Sequence, residues 1–330
     1  MFRTSLVLMV ALSLAAGMAG AQEKVTLASK FPPGVYTTTM NQQMNVQMAM
    51  PGGQQMDQKQ TMMMVSQITA GPVEPTGQKI EMAFKRIKQS MLMGPMNMGY
   101  DSADPNQSSS PLAPIFKALL DAKISFTMTA DGNVKDVTGL DSMIDDMVKQ
   151  NPALASMAKT MKSQMGDNMV RQMIGAGNQM LPDKPVGPGD TWTTKATQNL
   201  GMLGEMTISN DCKLAALQKT PKGRIAVIEF KGKATTAEGK AAPMPGAKLE
   251  KLDMDMSGTS RFNTDTGMLV QNTTNIKAKM SMTIGGSDDQ PGMGIDMVME
   301  GKVDQSTTEG KYEAPAAEKK AAPKSGGDVF

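Results

Sequence analysis

Strict alternation of apolar and polar residues is the commonest pattern along this chain. Between positions 40 and 50 the even positions are mostly Met or Val, and the odd positions are Asn, Gln or Ala. A period of two indicates a half-buried β-strand. Similar alternation recurs over 56–69, 79–93 and 123–130, and Gly-containing turn signals follow several of these runs.

The alternation resumes after position 181 and gives long runs around 225–227, 252–262, 276–284 and 293–303. Several runs exceed a dozen residues, whereas a typical strand has about 5–6. The pattern therefore predicts a mainly β fold with inserted helices (α+β). We expect a long curved antiparallel sheet or half-barrel more than a compact sandwich. Residues 94–111 lack clear periodicity and are predicted to form a loop.

The period changes to that of a helix between the two β-rich regions. Five apolar residues fall at i, i+3, i+4, i+7 and i+8, namely Leu140, Met143, Ile144, Met147 and Val148. Thr138 precedes them as a predicted N-cap. Two further short amphipathic helices are expected to begin near Pro152 and Asp167, and residues 114–121 predict another short helix.

Two places in the chain resemble each other. Residues 31–38 and 187–194 each contain a Pro-Gly turn, then an aromatic residue, then a Thr-rich segment. Later, Phe126 and Phe262 each precede a turn containing Asp and Gly. We interpret this order as two related β modules. Chance similarity of turn chemistry is the alternative, because these residue types recur in any hairpin.

The two ends of the chain differ from its middle. Arg3, an apolar run over 6–16 and the small residues Ala19-Gly20-Ala21 have the order of a secretory signal peptide. We therefore expect export to the periplasm or the medium. No later run is apolar for long enough to predict a membrane-spanning helix. The expected division is signal peptide 1–21, first β module 22–138, helical insert 139–180, second β module 181–311 and disordered tail 312–330.

Composition excludes several classes of chemistry. The net charge is only +2, without a Lys/Arg cluster, so we expect no nucleic-acid partner. Cys212 is the one cysteine, so an internal disulfide cannot form. The chain has no His, which removes Ser-His and Cys-His catalysis. We expect neither an enzyme nor a bound cofactor.

One segment carries a resemblance to a known family. The run from Leu181 to Trp192, which contains Pro-Val-Gly-Pro-Gly-Asp-Thr, resembles the segment that opens the second half of an uncharacterised family of exported bacterial β-rich proteins. Pro33-Gly34 with Tyr36 fits the same family. Its general layout is similar to periplasmic lipoprotein carriers, in which a curved half-barrel sheet wraps an apolar cavity. The resemblance implies a fold, and it supplies no catalytic residues.

The chain contains 36 methionines, which lie mostly at the apolar positions of strands and helices. The simplest interpretation is that Met is the core residue of this protein. The functional hypothesis adds a Met-lined apolar cavity, because flexible thioethers can repack around lipid or another hydrophobic ligand. The candidate ligand-binding residues are Met44, Met48, Met82, Phe84, Phe126, Met128, Met254, Met256, Met280, Met282 and Met297.

Two alternative functions remain open on the sequence alone. The chain could be a scaffold of the cell envelope that binds a partner protein through sheet edges. It could also bind Cu(I), for which thioethers are favourable ligands. The candidate copper ligands are Met91, Met93, Met96 and Met98. Same-strand methionines four residues apart are too distant to share one ion, since alternate strand residues lie ~6.6 Å apart.

Overall fold

The structure is a computed structural model that describes residues 23–49, 53, 55–104, 110, 113–129, 132–150, 162, 180–199, 205–236, 247–284 and 292–314. Three predictions concern segments outside these residues: the signal peptide, the two helices expected near Pro152 and Asp167, and most of the disordered tail.

The described residues form twelve strands and two helices. The strands are β1 (Gly34–Ala49), β2 (Gln55–Glu74), β3 (Gly77–Met93), β4 (Met96–Asp101), β5 (Ile124–Met128), β6 (Val134–Thr138), β7 (Thr191–Asn199), β8 (Glu205–Thr220), β9 (Gly223–Thr236), β10 (Ala247–Asn263), β11 (Met268–Ile284) and β12 (Met293–Glu309). The helices are α1 (Ala113–Asp121) and α2 (Leu140–Gln150).

All twelve strands belong to one open antiparallel sheet. Eleven follow the order β6-β5-β3-β2-β1-β12-β11-β10-β9-β8-β7, and β4 pairs with β3 away from this path. The strands of the two predicted modules therefore continue one into the other. The mainly β, long antiparallel fold predicted from the alternation is confirmed, and the two β-rich regions share a single sheet.

The first and last strands meet at the centre of the sheet. β1 pairs with β12 from Tyr36↔Glu309 to Ala49↔Asp296 without a register shift. The Thr38 and Thr307 hydroxyls lie 3.1 Å apart across this junction, and the Gly310 N–H donates to the Val35 carbonyl at 2.8 Å. A continuous hydrogen-bonded ladder thus joins segments that are far apart in the sequence.

One core lies where α2 covers the end of the sheet near the start of β1. Leu140, Met143, Ile144 and Met147 of α2 pack into a buried cluster. The sheet residues of that cluster include Tyr36, Ile80, Met82, Ile124, Phe126 and Met128. The i, i+3, i+4, i+7 spacing places the four helix side chains on one stripe. This confirms the amphipathic helix predicted over these residues.

A second core lies over β8, β9 and β10. The segment 23–30 crosses these strands, where Val25 and Leu27 are buried in one cluster with Leu214, Ile228 and Phe262. Backbone bonds hold the segment at both ends, because Val25 pairs with Val186 and the Lys30 N–H donates to the Gly267 carbonyl at 2.8 Å. Residues that precede β1 therefore pack against strands from the other half of the chain.

The prediction of a loop over 94–111 was wrong in part, because β4 occupies Met96–Asp101. Asn97 and Gly99 are poor strand formers, and the alternation of Met96, Met98 and Tyr100 with polar residues spans only six positions. Pairing with β3 stabilises β4 although its local strand propensity is low. An ion pair adds to this stabilisation, since an Arg86 Nη atom lies 3.3 Å from an Asp101 carboxylate oxygen.

Candidate functional site

Methionines from five neighbouring strands line up on one side of the sheet. Directly paired residues of antiparallel strands share a face, so each row of partners forms a rung across the strands. The first rung is Met56, Met48, Met297, Met280 and Leu252. The second is Gln58, Val46, Met299, Ala278 and Met254. The third is Gln60, Met44, Gly301, Ile276 and Met256.

We call these three rungs, from β2 to β10, the methionine face. With strands about 4.8 Å apart and same-side residues about 6.7 Å apart, its residue positions span roughly 19 Å by 13 Å. Most of its Met side chains are half-buried, whereas Met254 is only 6% exposed. Residues 140–150 and 23–30 cover other parts of the sheet, beyond the third rung.

The opposite side of the same strands is charged. Lys277 and Glu300 form an ion pair at 3.4 Å, and the Ser281 hydroxyl donates to the Asp296 carboxylate at 2.6 Å. Lys233 and Asp255 lie 4.0 Å apart on the neighbouring strands. These solvated pairs contribute little to stability, and they mark the side that faces water. The strands therefore separate an apolar surface from an ionic one.

Gly301 makes a notch in the methionine face. It lies in the third rung between Met44 and Ile276. A Cβ atom built on Gly301 would lie 3.4 Å from the Met44 Cγ and 3.9 Å from the Ile276 Cβ. These are ordinary contact distances, so a small side chain fits there without moving its neighbours. The absence of a side chain leaves a shallow groove between two apolar residues.

Ten of the eleven predicted ligand-binding residues fall into two groups. Members of the methionine face are Met44, Met48, Met254, Met256, Met280 and Met297. Met282 lies two paired positions beyond the first rung on the same side of the sheet, opposite Ile295. The remaining four belong to the core under α2, where three are almost fully buried. Those four are Met82, Phe84, Phe126 and Met128.

Among the members of the methionine face that the sequence analysis did not select are Met56, Met299 and Gly301. Met299 shares the parity of Met297, so alternation alone could have found it. Met56 and Gly301 become visible only through the register of β1 with β2 and β12. Two shallow grooves of about 690 and 460 Å³ also lie over β7–β11, and Met256 is the one predicted residue that lines either.

The four predicted copper ligands come together at the tip of the β3–β4 hairpin. Met91 pairs with Met98, and Met93 pairs with Met96. On β2 their neighbours are Gln60 and Gln58, so all four lie on the same side of the sheet as the methionine face. The four thioethers therefore extend that face beyond β2.

Cys212 is a buried thiol in the second core. Burial, together with the nearby Asp211 charge, raises the pKa of the Cys212 thiol to about 11. A nucleophilic cysteine needs a depressed pKa, so this thiol is in the wrong state for catalysis near neutral pH. Among the described residues no group of three or more His, Cys, Asp or Glu side chains could hold a metal ion.

These features define an open antiparallel β-sheet protein with one methionine-rich side. Residues 76–269, more than half of the chain, match the model of a family of unknown function, DUF6263. The chain belongs to this family. The match confirms the resemblance of the Leu181 to Trp192 segment to an uncharacterised family. No curated protein sequence is significantly similar to this chain.

Among solved structures, lipovitellin, studied for its lipid–protein interactions, aligns with 87% of this chain and 27% of its own, at 11% identity and a TM-score of 0.49. The chain thus spans about a quarter of lipovitellin. An outer membrane channel from Pseudomonas putida F1 aligns over 84% and 97%, with 7% identity and a TM-score of 0.16. The translocator domain of autotransporter NalP from Neisseria meningitidis aligns over 82% and 88%, with 7% identity and a TM-score of 0.18.

All three TM-scores lie below 0.5, so these likenesses define neither a shared fold nor a shared function. In the part of the chain that the structure describes, neither helix has the length and apolarity needed to cross a bilayer.

Proposed function

We propose that this protein is an exported, non-catalytic binding protein that holds lipid or another hydrophobic ligand on its methionine face. The observation that carries the proposal is the alignment of half-buried methionines from β2, β1, β12 and β11 in one rung. A sheet with one charged side needs cover for its apolar side. A bound apolar ligand would provide that cover.

The chemistry of methionine supports a ligand of variable shape. Met has an unbranched, polarizable side chain with three rotatable bonds, and it repacks around different apolar partners more easily than Leu or Ile. The notch at Gly301 allows an acyl chain or ring to lie closer to the backbone than elsewhere on the face.

The size of the face sets an expected affinity. An area of roughly 250 Å², at about 25 cal/mol per Å², contributes about 6 kcal/mol of gross transfer free energy. The costs of association reduce this value. Binding should therefore be weak and reversible.

Export and the absence of catalysis are parts of the same proposal. Export is supported by the order of charge, apolar run and small residues in the first 21 positions. A non-catalytic role is supported by the lack of His in the sequence and by the raised pKa of the Cys212 thiol.

Two neighbouring residues of β12 give a sharp test. Met297 lies in the first rung, whereas Val298 is 40% exposed on the opposite side. Met297→Gln keeps the side-chain length but adds a polar amide, and it should weaken binding of a fluorescent fatty acid measured by titration. Val298→Gln is the matched control and should leave binding unchanged.

Native mass spectrometry of the wild-type protein, purified from a bacterial host without detergent, gives a second measurement. Lipid-mass adducts that decrease in Met297→Gln, and persist in Val298→Gln, would support the proposal. Equal fatty-acid binding by both variants, with no adduct on the wild type, would exclude the methionine face as the ligand site.

A scaffolding role is the second candidate, and one observation favours it. Within the described residues, β7 pairs only with β8, so one side of this nine-residue strand is a sheet edge. An exposed edge can accept a strand from another protein. The Asp190 carbonyl accepts from the Leu214 N–H of β8, so by alternation the Thr193 N–H points to the free edge of β7. Binding of a partner peptide that Thr193→Pro abolishes, with no lipid adduct on the wild type, would favour this function.

A further inference from the structure

The β3–β4 hairpin carries four methionines in two directly paired positions. Met91 faces Met98, and Met93 faces Met96. Gly94 and Pro95 form the connecting turn, and the positive φ of Gly94, 55°, suits the first position of a two-residue hairpin turn. The turn therefore fixes the register that brings the two pairs together.

We propose that these four thioethers form a binding site for Cu(I). Directly paired Cβ atoms lie about 5 Å apart, and same-side residues along a strand lie about 6.7 Å apart. The centre of this rectangle is then about 4.2 Å from each Cβ atom. A Met side chain and a metal–sulfur bond of about 2.3 Å together span that distance. All four sulfur atoms can thus converge on one ion.

The surroundings of the four hairpin methionines suit a soft monovalent cation. Thioethers are soft ligands and favour Cu(I) over hard cations. The neighbours on β2 are the neutral amides of Gln58 and Gln60. Met96 is 52% exposed, and the other three side chains are half-buried. The ion can therefore enter from solvent on the side of Met96 and lose its bound water on the side of the three half-buried methionines.

The arrangement differs from the first rung of the methionine face. There, Met48, Met297 and Met280 lie in a line on successive strands, about 4.8 Å apart. Two neighbouring sulfur atoms in such a row can share an ion, but the row cannot place ligands on all sides of it. The hairpin places its ligands at four corners, so copper binding at the hairpin is separate from apolar-ligand binding on the face.

The test is an anaerobic titration of the full mature chain with Cu(I), using bicinchoninate as the competing chromophoric chelator. The variant M91L/M93L/M96L/M98L replaces each thioether by an apolar side chain of similar size. It should lose the complex formed by the wild type. The control M48L/M280L/M297L removes three thioethers from the methionine face and should retain it. Equal loss in both variants, or retention in the hairpin variant, would overturn the assignment.

X-ray absorption of the wild-type Cu(I) complex provides a measurement that needs no variant. Three or four sulfur scatterers at about 2.3 Å are expected. A shell of oxygen or nitrogen neighbours would overturn the proposal. Circular dichroism of the hairpin variant separates loss of the site from loss of the fold.

Discussion

Asp101 shows how one side chain ties a short strand to the sheet. Burial tends to raise the pKa of its carboxyl, but the Ala103 N–H and the Arg86 guanidinium outweigh burial and lower it. The side chains of Arg86 and Asp101 are each 19% exposed, so solvent screens the pair only in part. Lys88 adds a second cation 3.4 Å from the same carboxylate.

The direction of this shift predicts a pH dependence. A carboxyl with a depressed folded pKa stabilises the protein above its unfolded pKa, and the contribution is lost as pH falls through the folded pKa. Asp101→Asn should lower the free energy of unfolding by about 1–3 kcal/mol at pH 7. The difference from the wild type should shrink below about pH 4. Urea denaturation of both proteins between pH 3 and 7 measures this difference in the free energy of unfolding.

The exposed Asp57 serves as the control for this prediction. Asp57→Asn should change stability by less than about 0.5 kcal/mol at each pH. If the Asp101→Asn deficit stayed constant down to pH 3, the charge of Asp101 would not be its source.

At the scale of elements, the turn between β6 and α2 depends on a single glycine. Gly139 has φ of 119°, which side chains rarely adopt, and its Cα faces the backbone at the start of β5. A Cβ atom there would collide with the Lys123 carbonyl oxygen and lie 2.9 Å from the Ile124 Cα. This close approach is what lets α2 turn back over the sheet.

Gly139→Ala should therefore destabilise the protein by about 2–3 kcal/mol or more. Gly294→Ala on β12 is a control with the opposite expected sign. A Cβ atom at Gly294 meets nothing within 4 Å, so the substitution should be neutral or stabilise by up to about 1 kcal/mol. Thermal denaturation of the two variants tests this contrast. A similar shift for both would mean that the turn tolerates a side chain.

The sequence predicted most of the strands and helices, but it did not predict which strands pair with each other. Alternation found β1, β2, β3 and β5, and the helical period found α2, because each of these carries its own periodic apolar face. β4 was missed because its alternation covers only six residues and because Asn97 and Gly99 have low strand propensity. The rungs of the methionine face depend on the pairing of Met48 with Met297, which are far apart in the chain. No local pattern encodes such a long-range register.

At the scale of the whole molecule, the pairing of β1 with β12 should make the two halves one cooperative unit. Every residue from Tyr36 to Ala49 has a partner on β12. The segment 23–30 reinforces this link, because it joins β1 in the chain but packs over β8, β9 and β10. Unfolding either half would remove the ladder partner of the other.

A mutation in one half and a probe in the other test this cooperativity. Ile144 of α2 is fully buried against the sheet, and Ile144→Ala should lower the free energy of unfolding by about 2–5 kcal/mol. Trp192 is the one tryptophan and lies on β7, at the far edge of the other half. In a two-state sheet, its fluorescence transition should shift to lower temperature together with the circular dichroism signal.

The exposed-side variant Val298→Gln controls for a nonspecific shift and should leave both transitions in place. If the Trp192 transition of Ile144→Ala stayed at the wild-type temperature while the dichroism transition moved or split, the halves would be separate units. The β1–β12 ladder would then be a contact between independently folding modules. Coincident shifts would instead show that the two halves unfold together. A ligand bound on the central strands would then stabilise the entire sheet, since β1, β12 and β11 carry most of the methionine face and lie at the junction.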